Sequence, residues 1–210
     1  MVYLSIILIA SAIIGVINGI FLLPTFGGSV WNIVFCVAVS VVAAIAVDSV
    51  FAAVIRWILP AKWFSVDKKR FAAGKKECRF YEKLGIKKWK EKVIELGVFT
   101  GFRKNRIADP TDNAYISRYI LEANYGEAVH LACVFCGFLV CFIFPEHFYS
   151  VGLPVGFVNM VLNALPFMIL RYNLPRLHTL YRYNAKRVKS GGNPLAGEDR
   201  GVEKDGSLSA

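Results

Sequence analysis

Four long apolar blocks dominate the chain and restrict what it can fold into. They run from Leu4 to Leu23, Val30 to Leu59, Ala128 to Pro145 and Pro154 to Leu170. A bilayer core about 30 Å thick is crossed by roughly 20 apolar residues in helical form. The blocks therefore predict an all-α membrane protein with four transmembrane helices arranged as two hairpins. Composition agrees. Hydrophobic residues make up 56% of the chain and charged residues 19%, against about 45–50% and about 25% in ordinary soluble domains. A soluble globule and a disordered chain are both excluded, because disorder requires low hydrophobicity.

The charge distribution orients these helices. Ala61 to Arg106 carries 15 Lys and Arg against 5 Asp and Glu, and Arg171, Arg176, Arg182, Lys186, Arg187 and Lys189 follow the fourth block. The short connections Pro24–Ser29 and Glu146–Leu153 contain no Lys or Arg. The positive-inside rule then puts the central segment and both termini of a multi-pass membrane protein in the cytoplasm. The net charge of +10 is explained by anionic inner-leaflet lipids as partners, and nucleic acid is not needed. No Lys or Arg precedes Arg56, so the first block lacks the basic start of a signal peptide.

The organisation follows. Residues 1–60 form the first hairpin, 61–113 a basic cytoplasmic and interfacial segment, 114–190 an interfacial helix with the second hairpin and its basic end, and 191–210 a disordered tail. Pro60 ends the second helix, and Trp63 and Phe64 suit a headgroup belt. Phe71, Phe80, Tyr81, Leu84, Ile86, Trp89 and Val93 recur among lysines, with Gly74 and Gly85 breaking the run. This predicts short amphipathic helices on the inner leaflet; the alternative is a solvated basic loop. Gly97 to Phe102 reads as a turn or re-entrant piece. Asp109 to Asn113 offers a helix start with Asp or Asn as cap. Cys133-x-x-Cys136 has redox spacing but lies inside an apolar span, where cysteine packs as a small hydrophobe.

Three ionisable residues gather where the third span enters the membrane. At 100° per residue, Glu122, Glu127 and His130 fall within about 140° of arc. Such residues tend to face a bundle interior, and a histidine beside carboxylates supplies a general base with its orienter. The alternatives are a solvated helix end for Glu127, an interfacial His130, or a metal shared by this Glu and His. A second cluster, Asn163, Pro166, Arg171, Tyr172, Asn173, Pro175 and Arg176, ends the fourth span. Arginines there suit a phosphate or carboxylate, or simply anchor the interface. Asp48 is an intramembrane carboxylate, a functional candidate in its own right.

These residues resemble the bacterial glycosyl-4,4'-diaponeurosporenoate acyltransferase family of carotenoid glycolipid synthesis. The likeness runs through Leu59-Pro60-Ala-Lys-Trp63-Phe64, Tyr81-Glu-Lys-Leu-Gly85-Ile-Lys-Lys-Trp89-Lys90, Phe99-Thr-Gly101-Phe102-Arg-Lys104, Glu122-x4-Glu127-x2-His130, Asn163-x-x-Pro166 and Arg171-Tyr172-Asn173-x-Pro175-Arg176-Leu177. Ala123 and Gly126 stand where the family pattern has Thr and Arg, and Leu170 where it often has Gln. The resemblance implies transfer of a fatty acyl group from an acyl-CoA or acyl-carrier-protein thioester to a hydroxyl of a membrane glycolipid. No cofactor or metal is bound. It implies His130, Glu127 and Glu122 as catalytic, and Asn163, Arg171, Asn173, Arg176, Trp89 and Lys104 as substrate-binding. Neither a His followed five residues later by Asp nor Gly-x-Ser-x-Gly occurs, so direct transfer is expected. The other classes that suit such a chain are a membrane scaffold or accessory lipid-binding protein, and a small lipid-modifying methyltransferase or reductase. The latter needs a nucleotide cradle, and no glycine-rich phosphate loop is present.

Overall fold

The computed structural model describes residues 2–91, 93 and 109–189. They contain six α-helices and no strand: α1 (Val2–Phe21), α2 (Val30–Ile58), α3 (Lys75–Lys83), α4 (Ile86–Trp89), α5 (Asn113–Cys136) and α6 (Leu153–Lys189). Four helical stretches are long and apolar enough to cross a membrane. The expected turn at Gly97–Phe102, Lys104 and the tail from residue 190 lie outside the described residues.

Helix ends follow local chemistry. Pro24 opens a short 3-10 turn after α1, and Gly27 closes it at φ 65°, with Gly28 at φ 69°. Both angles are left-handed and favour glycine. Leu59 is extended at ψ 134° ahead of Pro60, as a pre-proline residue tends to be. Gly74 precedes α3, and Gly85 at φ 71° separates α3 from α4. Asp112 caps α5 by accepting from the Ala114 N–H at 2.7 Å.

Two boundaries differ from expectation. α5 gives way at Cys136 to a 3-10 stretch, Gly137–Phe142, and after a bend at Phe144 a 3-10 turn, Pro145–His147, and a π-helical turn, Phe148–Gly152, lead into α6. α6 continues through Pro166 and Pro175 to Lys189. The basic end after Leu170 is therefore the last five turns of a helix, because its polar residues keep helical spacing and contacts past the apolar run.

α5 and α6 share the largest interface; α2 packs on α5, and α1 lies against α2 and α6. Large apolar side chains such as Ile20, Phe21, Phe35, Trp31 and Trp57 point outward. Such a surface suits hydrocarbon, where close packing and polar contacts, not water exclusion, hold helices together. Several buried polar residues staple the fold. Asn18 donates to the carbonyls of Ile14 and Ser150, Asn124 to Phe64, and Asn184 to Pro110.

Phe64 does not join a headgroup belt. It is buried and stacks on Tyr125, with ring centroids 4.1 Å apart, whereas Trp63 is exposed. The apolar faces of α3 and α4 also turn inward: Tyr81 and Ile86 pack with Ile169 and Tyr172 of α6, leaving Phe80 and Leu84 exposed.

Gly152 marks a close backbone approach. A Cβ there would lie 2.7 Å from the Cys141 Cα, and backbone cannot step aside as a flexible side chain can. Gly152→Ala is expected to cost about 1–3 kcal/mol through overpacking, read as a lower unfolding temperature in detergent.

Candidate active site

Three polar clusters occupy the half of the bundle that carries the basic ends of α2 and α6. The first joins α2, α5 and α6. Asp48 accepts from Asn163 Nδ2 at 2.8 Å and from Asn159 Nδ2 at 3.1 Å. The Asn163 Oδ1 lies 2.9 Å from His130 Nδ1. Asn159 and Asn163 are four residues apart, so they share one face of α6.

This network assigns the protons. Both Asp48 oxygens accept, Oδ1 from Asn159 and Oδ2 from Asn163, so Asn163 presents its NH2 to Asp48 and its carbonyl oxygen to His130. His130 Nδ1 must then donate, which leaves Nε2 as the acceptor nitrogen. His130 therefore has an orienter, but it is Asn163 backed by Asp48, and not Glu122 or Glu127 as the helical arc predicts.

The second cluster pairs Arg56 with Glu122. The guanidinium donates to both carboxylate oxygens, at 2.5 and 2.8 Å, and lies 4.9 Å above the Tyr125 ring. The eight-residue step from Asp48 to Arg56 leads to this separate pair and not to Asp48.

The third cluster centres on Arg171. Its Nε and Nη2 donate to Glu77 of α3, and its Nη1 to Glu127 Oε1 at 2.7 Å and to the Arg70 carbonyl at 3.1 Å. The Ala73 N–H donates to the Arg171 carbonyl at 3.2 Å. Glu127 is only 3% exposed, and its Oε2 is buried without a partner among the described residues. Glu127 and His130 thus bond to different neighbours.

Arg171 clamps helix α3 onto the bundle, so it is engaged by protein acceptors on several sides. The clamp holds the Glu77 carboxyl below its ordinary pKa. The Arg171 hydrogen bond dominates, partial burial opposes it, and the Tyr81 hydroxyl at 2.5 Å assists. A lowered carboxylate pKa contributes stability that is fully present above the ordinary Glu value, about 4.3, and lost as pH falls through the lowered one. Hydrogen exchange of residues 75–83 is therefore expected to stay slow down to about pH 4.3 and to accelerate only below it.

Beyond this clamp, Tyr172 donates to Glu82 at 2.8 Å, Lys87 pairs with Glu82 at 2.8 Å, and Arg176 donates to the Tyr172 hydroxyl at 3.2 Å while lying over its ring. Asn173 is half-buried on α6, and Trp89 donates to the Leu84 carbonyl at 3.1 Å. Of the residues expected to bind substrate, Arg176 and Asn173 lie at this rim, Asn163 sits in the His130 network, Arg171 bonds to Glu77 and Glu127, and Lys104 is outside the described residues. Asp48 and Asn159 complete the first cluster, Arg56 the second and Glu77 the third. Two asparagines four apart in one apolar run, with a carboxylate in another, are the sequence signal for Asp48 and Asn159; Glu77 has none.

Gly126 and Leu170, two of the departures from the family pattern, face each other. A Cβ on Gly126 would lie 3.1 Å from Leu170 Cδ1, so a small residue at one position accommodates the branched one at the other.

No curated protein and no solved structure matches the chain. Residues 60–183 match the glycosyl-4,4'-diaponeurosporenoate acyltransferase family. That stretch holds His130, Asn163, Glu127, Arg171 and the basic rim. It spans more than half of the 210 residues, and the chain belongs to this acyltransferase family.

Proposed function

We propose that the protein is an integral membrane acyltransferase that moves a fatty acyl group from a thioester to a hydroxyl of a membrane glycolipid. The four apolar helices cross a bacterial cell membrane as two hairpins with both termini cytoplasmic. The exposed Phe80 and Leu84, among the lysines of α3 and α4, rest on the anionic inner leaflet. The observation that carries the reading is the Asp48–Asn163–His130 relay, which presents an oriented imidazole with its Nε2 lone pair at the end of an apolar bundle.

The step balances without a cofactor. His130 Nε2 takes the proton of the acceptor hydroxyl as its oxygen bonds to the thioester carbonyl carbon. The carbon–sulfur bond then breaks, and the leaving thiolate takes the proton back from His130. The products are an ester and a free thiol. Asp48, one hydrogen-bonded residue away, stabilises the imidazolium that forms meanwhile. Arg176, Lys87 and Asn173 hold the phosphates of a coenzyme A or carrier-protein donor at the cytoplasmic rim.

Lipid mass spectrometry on cells with and without the protein tests this reading. A lipid that gains one fatty-acyl mass only with the intact protein, and not with His130→Ala, is expected. An acyl-lipid profile indifferent to the protein would favour a membrane scaffold.

A further inference from the structure

An open apolar groove of about 350 Å3, its open side included, runs between α1, α2 and α6. Ala10, Ile14, Val41, Ala44, Val155 and Asn159 line it. The geometry points to this groove as the seat of an unbranched fatty acyl chain, with its length set by Ala10 and Ala44. The inference rests on the acyl-transfer reading for the direction of the chain, and on the groove's own geometry for its occupancy.

Three observations support it. The walls are aliphatic apart from Ser11 and Asn159, as an alkyl chain requires. Asn159 also donates to Asp48, so one side chain belongs both to the groove wall and to the relay that orients His130. A chain lying in the groove with its carbonyl at the Asn159 end therefore brings that carbonyl to the level of the imidazole. From Asp48 to Val41 on α2 is seven residues, about 10 Å of helix, so the groove extends well away from the relay. Ala44 stands four residues, about 6 Å, along that path. Small side chains there and at Ala10 leave the width that a larger residue would close.

Two measurements test the assignment. The first irradiates membranes holding the full-length protein with a diazirine-bearing palmitoyl thioester and maps the labelled peptides. Labelling concentrated on residues 7–14 and 41–45, and displaced in Ala10→Phe, is expected. Labelling spread over all outward apolar residues, including Phe35 and Trp57, with no change in Ala10→Phe, would mean ordinary lipid contact and overturn the assignment. The second measures the chain lengths on the acylated product. Ala10→Phe, on the outermost helix, and Ala44→Leu, in the packed core, are each expected to lower the long-to-short ratio by roughly tenfold. An unchanged ratio in both would also overturn it. Groove-confined labelling without any acylated product would keep the groove and reject acyl transfer. Product with diffuse labelling would keep acyl transfer and reject the groove.

Discussion

Arg171→Ala is expected to lower the unfolding temperature in detergent by roughly 10 °C. The guanidinium is the only partner of Glu127 among the described side chains, and that carboxylate is nearly fully buried with one oxygen already unpaired. Removing one member of a buried ion pair costs about 3–5 kcal/mol, because the remaining charge stays desolvated. In a chain of this length each kcal/mol shifts the midpoint by about 2–4 °C. The same substitution releases Glu77 and, with it, α3. Arg171→Lys is expected to recover only part of the loss, since one ammonium cannot serve two carboxylates and a carbonyl with the fork geometry of arginine. Adding Glu127→Gln to Arg171→Met removes the stranded charge and is expected to restore several degrees. A midpoint for Arg171→Ala within about 2 °C of the parent would show that the clamp is not structural.

His130→Ala is expected to reduce acyl transfer by about 10²–10⁴-fold, the usual contribution of a positioned general base, with little change in unfolding temperature. Asp48→Asn provides the sharper test. An amide at position 48 donates as well as accepts, so Asn163 is free to turn over and His130 loses the constraint that keeps its proton on Nδ1. Activity is then expected to fall by more than tenfold, although residue 48 touches no reacting atom in this scheme. Gly137→Ala probes the same relay from outside. Its Cβ would lie 2.1 Å from Asn159 Nδ2, so Asn159 must leave Asp48. Initial rates in membranes, normalised to protein content, check all three. Full activity in Asp48→Asn would remove the relay from the mechanism.

Much of the scaffold is legible from residues alone. Pro60 ends α2, Asp112 caps α5, and Gly74 and Gly85 bracket α3, because each rule concerns atoms within a few residues of one another. The helical arc places Glu122, Glu127 and His130 within one sector of α5. It does not say which neighbour each will meet. Glu122 finds Arg56, 66 residues earlier; Glu127 finds Arg171; and His130 finds Asn163. Phe64 reads as a belt aromatic until Tyr125 covers it.

What the sequence determined by itself is the set of apolar helices and their stops. In hydrocarbon every helix must satisfy its own backbone, so run length and end residues suffice. The tertiary structure alone decided the site. Polar side chains in an apolar bundle bond to the best partner across the interface rather than along their own helix. That choice depends on how α2, α3, α5 and α6 pack, which no local spacing encodes.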